Sequence, residues 1–354
     1  MTINHNYYLD LAFKLAEKNL GQTKLNPSVG TVIVKNDTVI SSGVTSVNGR
    51  PHSEFNALYN VKNCSGASLY TTLEPCTHFG KTPPCVDIII KKKIKNVYYA
   101  FEDPDVRTFK KAKKIFNQKG IKSKLIPSKK HSKFYKSYFI NKKLFMPFLT
   151  AKIAISKDYL TINKKNKWIT NKISRKIVHL LRSKYDCILS TSKSINLDDS
   201  LLNCRINGLN NNKPDLFIID FKLNLKKNLS LNNNLKKRKI YLITNKENSR
   251  KTSSYKKRGY KIILINRLED KNDFILLFKK IYKKGYSRML IESGLTFLNN
   301  LLKKKMIQFL YIFTSGQRLG KNGKNNDTNK YLKKIYPKML TINLNGDNLS
   351  IKEF

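Results

Sequence analysis

His52, Cys76 and Cys85 each directly follow a proline, within the stretches PHSEFNAL (51–58) and TTLEPCTHFGKTPPC (71–85). Bringing these three side chains to one point is the strongest demand the sequence places on the fold. Proline suits the start of a helix, where its missing N–H goes unnoticed. His52 therefore opens a helix over SEFNAL, and Cys85 opens a second over CVDIIIKKK. Cys76 follows the strand SLYTTLEP, which is expected to end at Pro75. Two helix starts and one strand end can then aim at a common point, and a helix N-terminus also stabilises a thiolate.

Imidazole and thiolate are zinc ligands. Structural zinc sites close with four protein ligands, whereas catalytic ones supply three and leave a position for water. His52, Cys76 and Cys85 make three; Cys64, in the turn-like KNCSGAS, is the candidate fourth. Glu54 points to chemistry, because a structural clip has no use for it. A carboxylate beside a zinc-activated water can take its proton and pass it on. His-x-Glu followed by Pro-Cys and a second Cys is the zinc-deaminase pattern, in which the Glu is acid/base and not a ligand. The plainer reading, polar surface residues and small buried thiols, does not explain this order with its prolines.

The rest of the chain alternates helices and strands. YYLDLAFKLAEKNLG places Tyr8, Leu11, Ala12 and Leu15 on one helical face, with Gly21 as a stop. VGTVIVKNDTVISSGV reads as two strands about Asn36-Asp37. NVYYAFED is a strand, FKKAKKIFNQKG a helix and IKSKLIP a strand; the basic stretch 128–145 is helical. This is an α/β arrangement with a helix-covered sheet. A second α/β series starts at MPFLTAKIAIS, so the domains divide at 1–146 and 147–354. It continues through the helix SRKIVHLLRSKYD, the strands CILSTS, DLFIID, KIYLIT and KIILIN, the helix DFILLFKKIYKKG, the strand RMLIES, the helix LTFLNNLLKKK and the strand FLYIFT. The stretches 207–213 and 223–237 read as loops, and the last thirty or so residues carry no clear pattern.

A chain of 354 residues suits two cores. It has no apolar run of about 18 residues, so no membrane span is expected. Its N-terminus lacks an export signal, and its five cysteines suit reduced or metal-bound thiols. Cytoplasmic location is the default. The formal net charge of +47 invites a polyanion partner. The excess, however, is dispersed lysine accompanied by abundant Asn, Ile and Tyr, residues that share AT-rich codons. Compositional drift therefore accounts for it, and no specific nucleic-acid partner is expected.

Eight residues separate Cys76 from Cys85, where nucleic-acid and nucleoside deaminases generally have two. Together with NPSVGTVIV (26–34) and GRPHSEFNAL (49–58), this longer form resembles the bifunctional deaminase–reductase family of riboflavin biosynthesis. The second half shares the likeness through AKIAISKDY, WITNKISRKIVHLLRSKYDCILSTSKSINLDDSLLNCR and MLIESGLTFLNNLL. The resemblance implies a cytidine-deaminase-like three-layer α/β domain followed by a dihydrofolate-reductase-like α/β domain.

It further implies one zinc per chain on His52, Cys76 and Cys85, with Glu54 as proton shuttle. The substrate is a phosphorylated diaminopyrimidinone riboside, which Asn26, Lys81 and His78 would meet in the first domain. NADPH would lie along Ala154, Trp168, Ser194 and Asp198, with its phosphates at Gly294 and beyond. Asn166, Arg182, Leu202, Arg205 and Glu292 would face the reductase substrate. A homo-oligomer is expected.

Some positions depart from the family's pattern. Thr45 stands where a His is common, and Asp158-Tyr159 replaces Asp-Gly, although Tyr does not easily adopt a glycine backbone conformation. Asp199-Ser200 falls where Asp-Asp-Pro is usual. GQRLG (316–320) lacks the usual Pro-Lys start, and the loop before Trp168 is short. A deaminase with a degenerate reductase domain is one alternative; an RNA-binding or RNA-editing deaminase is another.

Overall fold

The structure is a computed structural model that describes residues 4–59, 61–209, 214–336 and 339–354. It divides into two compact units, Met1–Phe145 and Met146–Phe354.

The first unit contains α1 (His5–Lys18), β1 (Gly30–Lys35), β2 (Thr38–Val44), α2 (Ser53–Tyr59), β3 (Ser68–Thr71), α3 (Cys85–Lys91), β4 (Asn96–Tyr99), α4 (Lys111–Gln118), β5 (Lys122–Leu125) and α5 (Lys136–Leu144). Its strands form one sheet in the order β2-β1-β3-β4-β5. β2, β1 and β3 are antiparallel, and β3, β4 and β5 run parallel. Asn36 and Asp37 both take positive φ, 51° and 56°, which matches the two-residue hairpin expected there. Alternation along β1 sends Ile33 to one face, with Leu58 of α2, Ile89 of α3 and Phe116 of α4. It sends Val32 and Val34 to the other, with Leu9 and Phe13 of α1 and Tyr138 of α5. Helices therefore cover both faces, giving three layers.

The buried face of α1 is Tyr8, Leu9, Ala12, Phe13 and Ala16, not the expected Tyr8, Leu11, Ala12 and Leu15. Close approach decides this. A Cβ at Gly30 would lie 1.9 Å from the Ala12 carbonyl oxygen, so backbone meets backbone there and the alanines must face the sheet. β3 stops at Thr71 rather than running to Pro75, although Thr72 N still donates to Gly30 O at 3.1 Å. Only Lys136–Leu144 of the basic stretch 128–145 forms an α-helix.

The second unit contains β6 (Phe148–Ile155), β7 (Ile162–Asn163), α6 (Lys172–Ser183), β8 (Cys187–Thr191), α7 (Ser192–Asp198), β9 (Asp215–Ile219), β10 (Ile240–Asn245), α8 (Ser253–Lys257), β11 (Lys261–Ile265), α9 (Lys271–Lys283), β12 (Arg288–Ile291), α10 (Leu295–Lys303), β13 (Phe309–Thr314), β14 (Gly323–Lys324), α11 (Lys330–Ile335), β15 (Thr341–Leu344) and β16 (Asp347–Glu353). A nine-stranded sheet runs β11-β10-β9-β8-β12-β6-β13-β16-β15. From β11 to β13 it is parallel, and its strands are apolar runs because both faces are covered. β16 and β15 extend it antiparallel.

The two closing strands escape the sequence reading because TINLNGDNLSIKE is rich in Asn. The signal is nonetheless present: Asn345 and Gly346 take φ of 56° and 91°, an Asn-Gly hairpin turn. Stretch 223–237 is more than a loop, since Leu225, Leu229 and Leu231 are buried in the core. Of the loop expected at 207–213, residues 210–213 lie outside the described residues.

Tyr159 does hold a glycine-like conformation, φ 62°, a cost of roughly 1–2 kcal/mol for a residue with a side chain. The neighbouring Asp158 shows what keeps it there. Its carboxylate accepts from Ser156 Oγ (2.5 Å), Leu319 N (3.1 Å) and Gly320 N (2.8 Å), tying this turn to 316–320. Burial raises the Asp158 pKa, but these hydrogen bonds outweigh it and hold it at about 2. A depressed carboxyl stabilises the fold fully above the ordinary Asp pKa of about 4 and loses that contribution as pH falls. Asp158→Asn is therefore expected to unfold at lower denaturant than wild type at pH 6. The difference should shrink as pH approaches 2; a difference that does not change with pH contradicts this account.

Candidate active site

In the first unit Pro51 and Pro84 stand at helix starts as expected, whereas β3 ends at Thr71, before Pro75. Pro84 is the N-cap of α3, so Cys85 is its first residue. His52 immediately precedes α2, and its carbonyl accepts from Asn56 N at 3.1 Å. His52 Nδ1 lies 3.5 Å from Cys76 Sγ and 3.4 Å from Cys85 Sγ. The ligand atoms of His52, Cys76 and Cys85 all lie within 4.8 Å of one another. At the start of α3 the Cys85 N–H donates to Cys76 Sγ at 3.2 Å, the helix-terminus support a thiolate needs. Hydrogen bonding with Cys85, and then with His52, brings the Cys76 thiol down to about 4; the same contact with Cys76, together with burial, pushes Cys85 up. An imidazole nitrogen and two sulfurs within reach of one point suit zinc. Cys64 is no fourth ligand: it is buried in the core, with Sγ donating to Lys92 O at 3.6 Å.

Glu54 is buried and shares a cavity of about 320 Å³ with His52 and Cys76. Burial pushes its carboxyl pKa up, against the pull of His52, and Ser53 Oγ donates to Oε2 at 3.0 Å. Asn26, His78 and Lys81 line the same cavity. The Asn26 amide donates to Gly49 O at 2.8 Å, and His78 Nδ1 pairs with Thr108 Oγ1 at 3.2 Å. Thr45 also lines it, with its hydroxyl accepting from Val29 N at 3.0 Å.

The sequence reading missed Arg50, Glu74, Asp103, Asp105, Arg107 and Lys142, which complete the wall. The available signal was positional, since Glu74 and Asp103 follow the C-terminal ends of the parallel strands β3 and β4, where α/β sheets bind ligands. Asp105 is clamped by Arg107 Nη2 at 2.6 Å and Lys142 Nζ at 2.8 Å.

In the second unit, Arg182 of α6 meets Glu292 just after β12 in a buried fork, Nε–Oε1 2.6 Å and Nη2–Oε2 2.9 Å. Arg182 Nη1 also donates to Asn203 O at 3.1 Å. Burial raises the Glu292 pKa, but Arg182 and Lys152 outweigh it and hold the carboxyl below the ordinary range. Lys152 Nζ stands 3.9 Å from Glu292; this residue was hidden inside a stretch read only as a strand. Ser194 Oγ accepts from Gly294 N at 2.9 Å, joining α7 to the start of α10. The N-cap of α10, Gly294, has no side chain with which to cap the first N–H groups, an arrangement that suits an anion.

Asp198 ends α7, and burial pushes its carboxyl up. Arg205 donates to Asn203 Oδ1 at 2.6 Å. Leu202 is buried in the core, with a backbone φ of 47°. Ala154, on β6, is half-buried beside Val178 and Phe313. Trp168 is exposed, with the Arg175 guanidinium 4.9 Å from its ring. Asn166 N donates to Asn163 Oδ1 at 3.2 Å. No hydrogen bond among the described residues links Trp168 or Asn166 to the Arg182–Glu292 pair.

Residues 2–101 match the cytidine and deoxycytidylate deaminase zinc-binding region, and residues 147–335 match the RibD C-terminal domain. Riboflavin biosynthesis protein RibD of Aquifex aeolicus is 31% identical over 317 residues, covering 88% of this chain and 87% of the relative. The chain belongs to the RibD family. RibD of Buchnera aphidicola is 32% identical over 90% of this chain and 88% of its own. The solved structure of Acinetobacter baumannii RibD superposes with a TM-score of 0.83 at 25% identity, over 98% of both chains. As a RibD-family member this chain is a zinc-dependent deaminase joined to an NADPH-dependent reductase. Membership of the family, with both domains matched, does not favour a deaminase with a degenerate reductase domain or an RNA-directed deaminase. Among the described residues no helix is long and apolar enough to cross a membrane.

Proposed function

We propose that residues 1–146 hydrolyse the 2-amino group of 2,5-diamino-6-(ribosylamino)pyrimidin-4-one 5′-phosphate, and that residues 147–354 reduce the ribosyl group of the product to ribityl. The observation carrying this reading is the convergence of His52, Cys76 and Cys85, with His52, Cys76 and the buried Glu54 lining one cavity. These three side chains would hold zinc, which lowers the pKa of a bound water to near neutrality. Glu54 is placed to take a proton from the attacking water and to give one to the departing ammonia. Its burial in the same cavity as His52 and Cys76 suits a group that must both accept and give a proton. Asn26 hydrogen-bonds the pyrimidine edge, and Lys81 with His78 meets the phosphate.

In the second domain NADPH supplies the hydride. The uncapped start of α10 at Gly294, together with Ser194, binds its phosphates. Ala154, Trp168 and Asp198 line the rest of its path. Arg182, Arg205 and Glu292 face the substrate, with Leu202 and Asn166 on the flanking segments. The chain works in the cytoplasm as a homo-oligomer, without a specific nucleic-acid partner.

Metal analysis and ammonia release test the deaminase half together. The purified protein should hold about one zinc per chain and release ammonia from the diaminopyrimidinone phosphate, and chelation should stop the release. Full activity in a metal-free preparation contradicts the reading.

A further inference from the structure

The loop between Cys76 and Cys85 contributes His78, Gly80 and Lys81 to the cavity wall, and side-chain bonds fasten it at both ends. Thr77 Oγ1 donates to Arg107 O at 2.9 Å, and His78 pairs with Thr108. At the far end the Arg50 guanidinium donates to Thr82 Oγ1. Arg50 stands two residues before His52, so this bond ties a metal-ligand segment to the loop. Gly80 packs closely on it: a Cβ there would sit 3.1 Å from Arg50 Nη2.

Four long cationic side chains line the cavity: Arg50, Lys81, Arg107 and Lys142. They are not equivalent. Arg107 and Lys142 are both taken up by Asp105. Among the described residues Arg50 pairs with no carboxylate and makes only the Thr82 side-chain bond, so most of its guanidinium fork is unspent. Lys81 likewise has no acidic partner among them. A cavity lined by two uncommitted cations suits an anionic substrate group, and a guanidinium can grip a phosphate through two parallel N–H bonds.

We infer that Arg50 is a specificity-determining residue of the deaminase: with Lys81 it forms the subsite for the substrate's phosphomonoester, while its Thr82 bond holds the loop that carries Lys81. The inference rests on the deaminase reading above and adds to it the residue that makes a phosphorylated substrate preferred.

The test uses the full-length, zinc-loaded protein and measures ammonia release from the substrate with and without its 5′-phosphate. Arg50→Met should raise KM for the phosphorylated compound by about 10- to 100-fold, the weight of a charge-assisted hydrogen bond. The loss should fall on KM for the phosphorylated compound far more than on kcat or on KM for the unphosphorylated compound. Arg50→Lys should recover part of the loss, since it keeps the charge without the fork. Thr82→Val, which removes only the tether, should cost less than Arg50→Met. An Arg50→Met that raises both KM values equally, or a Thr82→Val that reproduces its whole effect, overturns the phosphate role. Inorganic phosphate gives an independent readout: with NADPH present to fill the phosphate site at α10, it should raise the melting temperature of wild type more than that of Arg50→Met, and equal shifts overturn the inference. Wild type that releases no ammonia from either compound is instead a failure of the deaminase reading, and the phosphate-binding comparison still decides the role of Arg50.

Discussion

Glu54→Gln is expected to keep its zinc and lose deamination, with kcat falling by about 10²- to 10⁴-fold, the usual weight of general acid–base catalysis. Gln has the shape of Glu and its amide oxygen can still accept from Ser53 Oγ, so the pocket should survive. It cannot take a proton, and at a buried position beside His52 solvent cannot easily stand in. The three metal-binding side chains are untouched. Metal analysis and ammonia release on the same sample separate the two roles. Loss of zinc together with activity would mean that Glu54 is structural, and an active Glu54→Gln would sink the proposed proton path.

Arg182→Met is expected to destabilise the second unit by about 3–5 kcal/mol, because it strands a buried carboxylate. Glu292 would keep only Lys152, at 3.9 Å, in place of a two-bond fork. The sign with pH follows from the depressed Glu292 carboxyl. Its stabilising contribution is present above the ordinary Glu range near 4 and is lost as pH falls below it. The deficit of Arg182→Met should therefore be largest near neutrality and shrink in acid. The double variant Arg182→Met with Glu292→Met should recover much of the stability, since a well-packed apolar pair often replaces a buried ion pair without loss. It should not recover NADPH-dependent reduction. Recovery of both would mean that the pair is structural only. Equilibrium unfolding and single-turnover NADPH oxidation on the same variants distinguish these cases.

The deaminase half was legible from sequence because its chemistry is local. Prolines at positions 51 and 84 mark where two helices begin, Pro75 lies in the turn after β3, and a ligand stands next to each. What was not legible depends on packing. The face of α1 follows the contact between Ala12 and Gly30, which no periodicity in α1 itself reveals. The closing hairpin was lost because Asn-rich composition masks the alternation of Ile342 and Leu344 with Leu349 and Ile351, even though Asn345-Gly346 marks the turn. Lys152 and Arg50 were missed because a lysine in a strand and an arginine before a proline carry no signature. Their partners Glu292 and Thr82 lie far away in sequence. At the Asp158-Tyr159 departure Tyr159 is held in a left-handed turn, φ 62°, that Asp158 and the segment 316–320 secure.

A coupled assay with the diaminopyrimidinone phosphate, zinc and NADPH tests the two-step account most directly, with ammonia and NADPH followed together. The account predicts that ammonia appears first, that NADPH oxidation lags behind it, and that Glu54→Gln stops both until the deaminated compound is supplied. NADPH oxidation by Glu54→Gln on the undeaminated compound, or ammonia release with no NADPH oxidation in wild type, would contradict it.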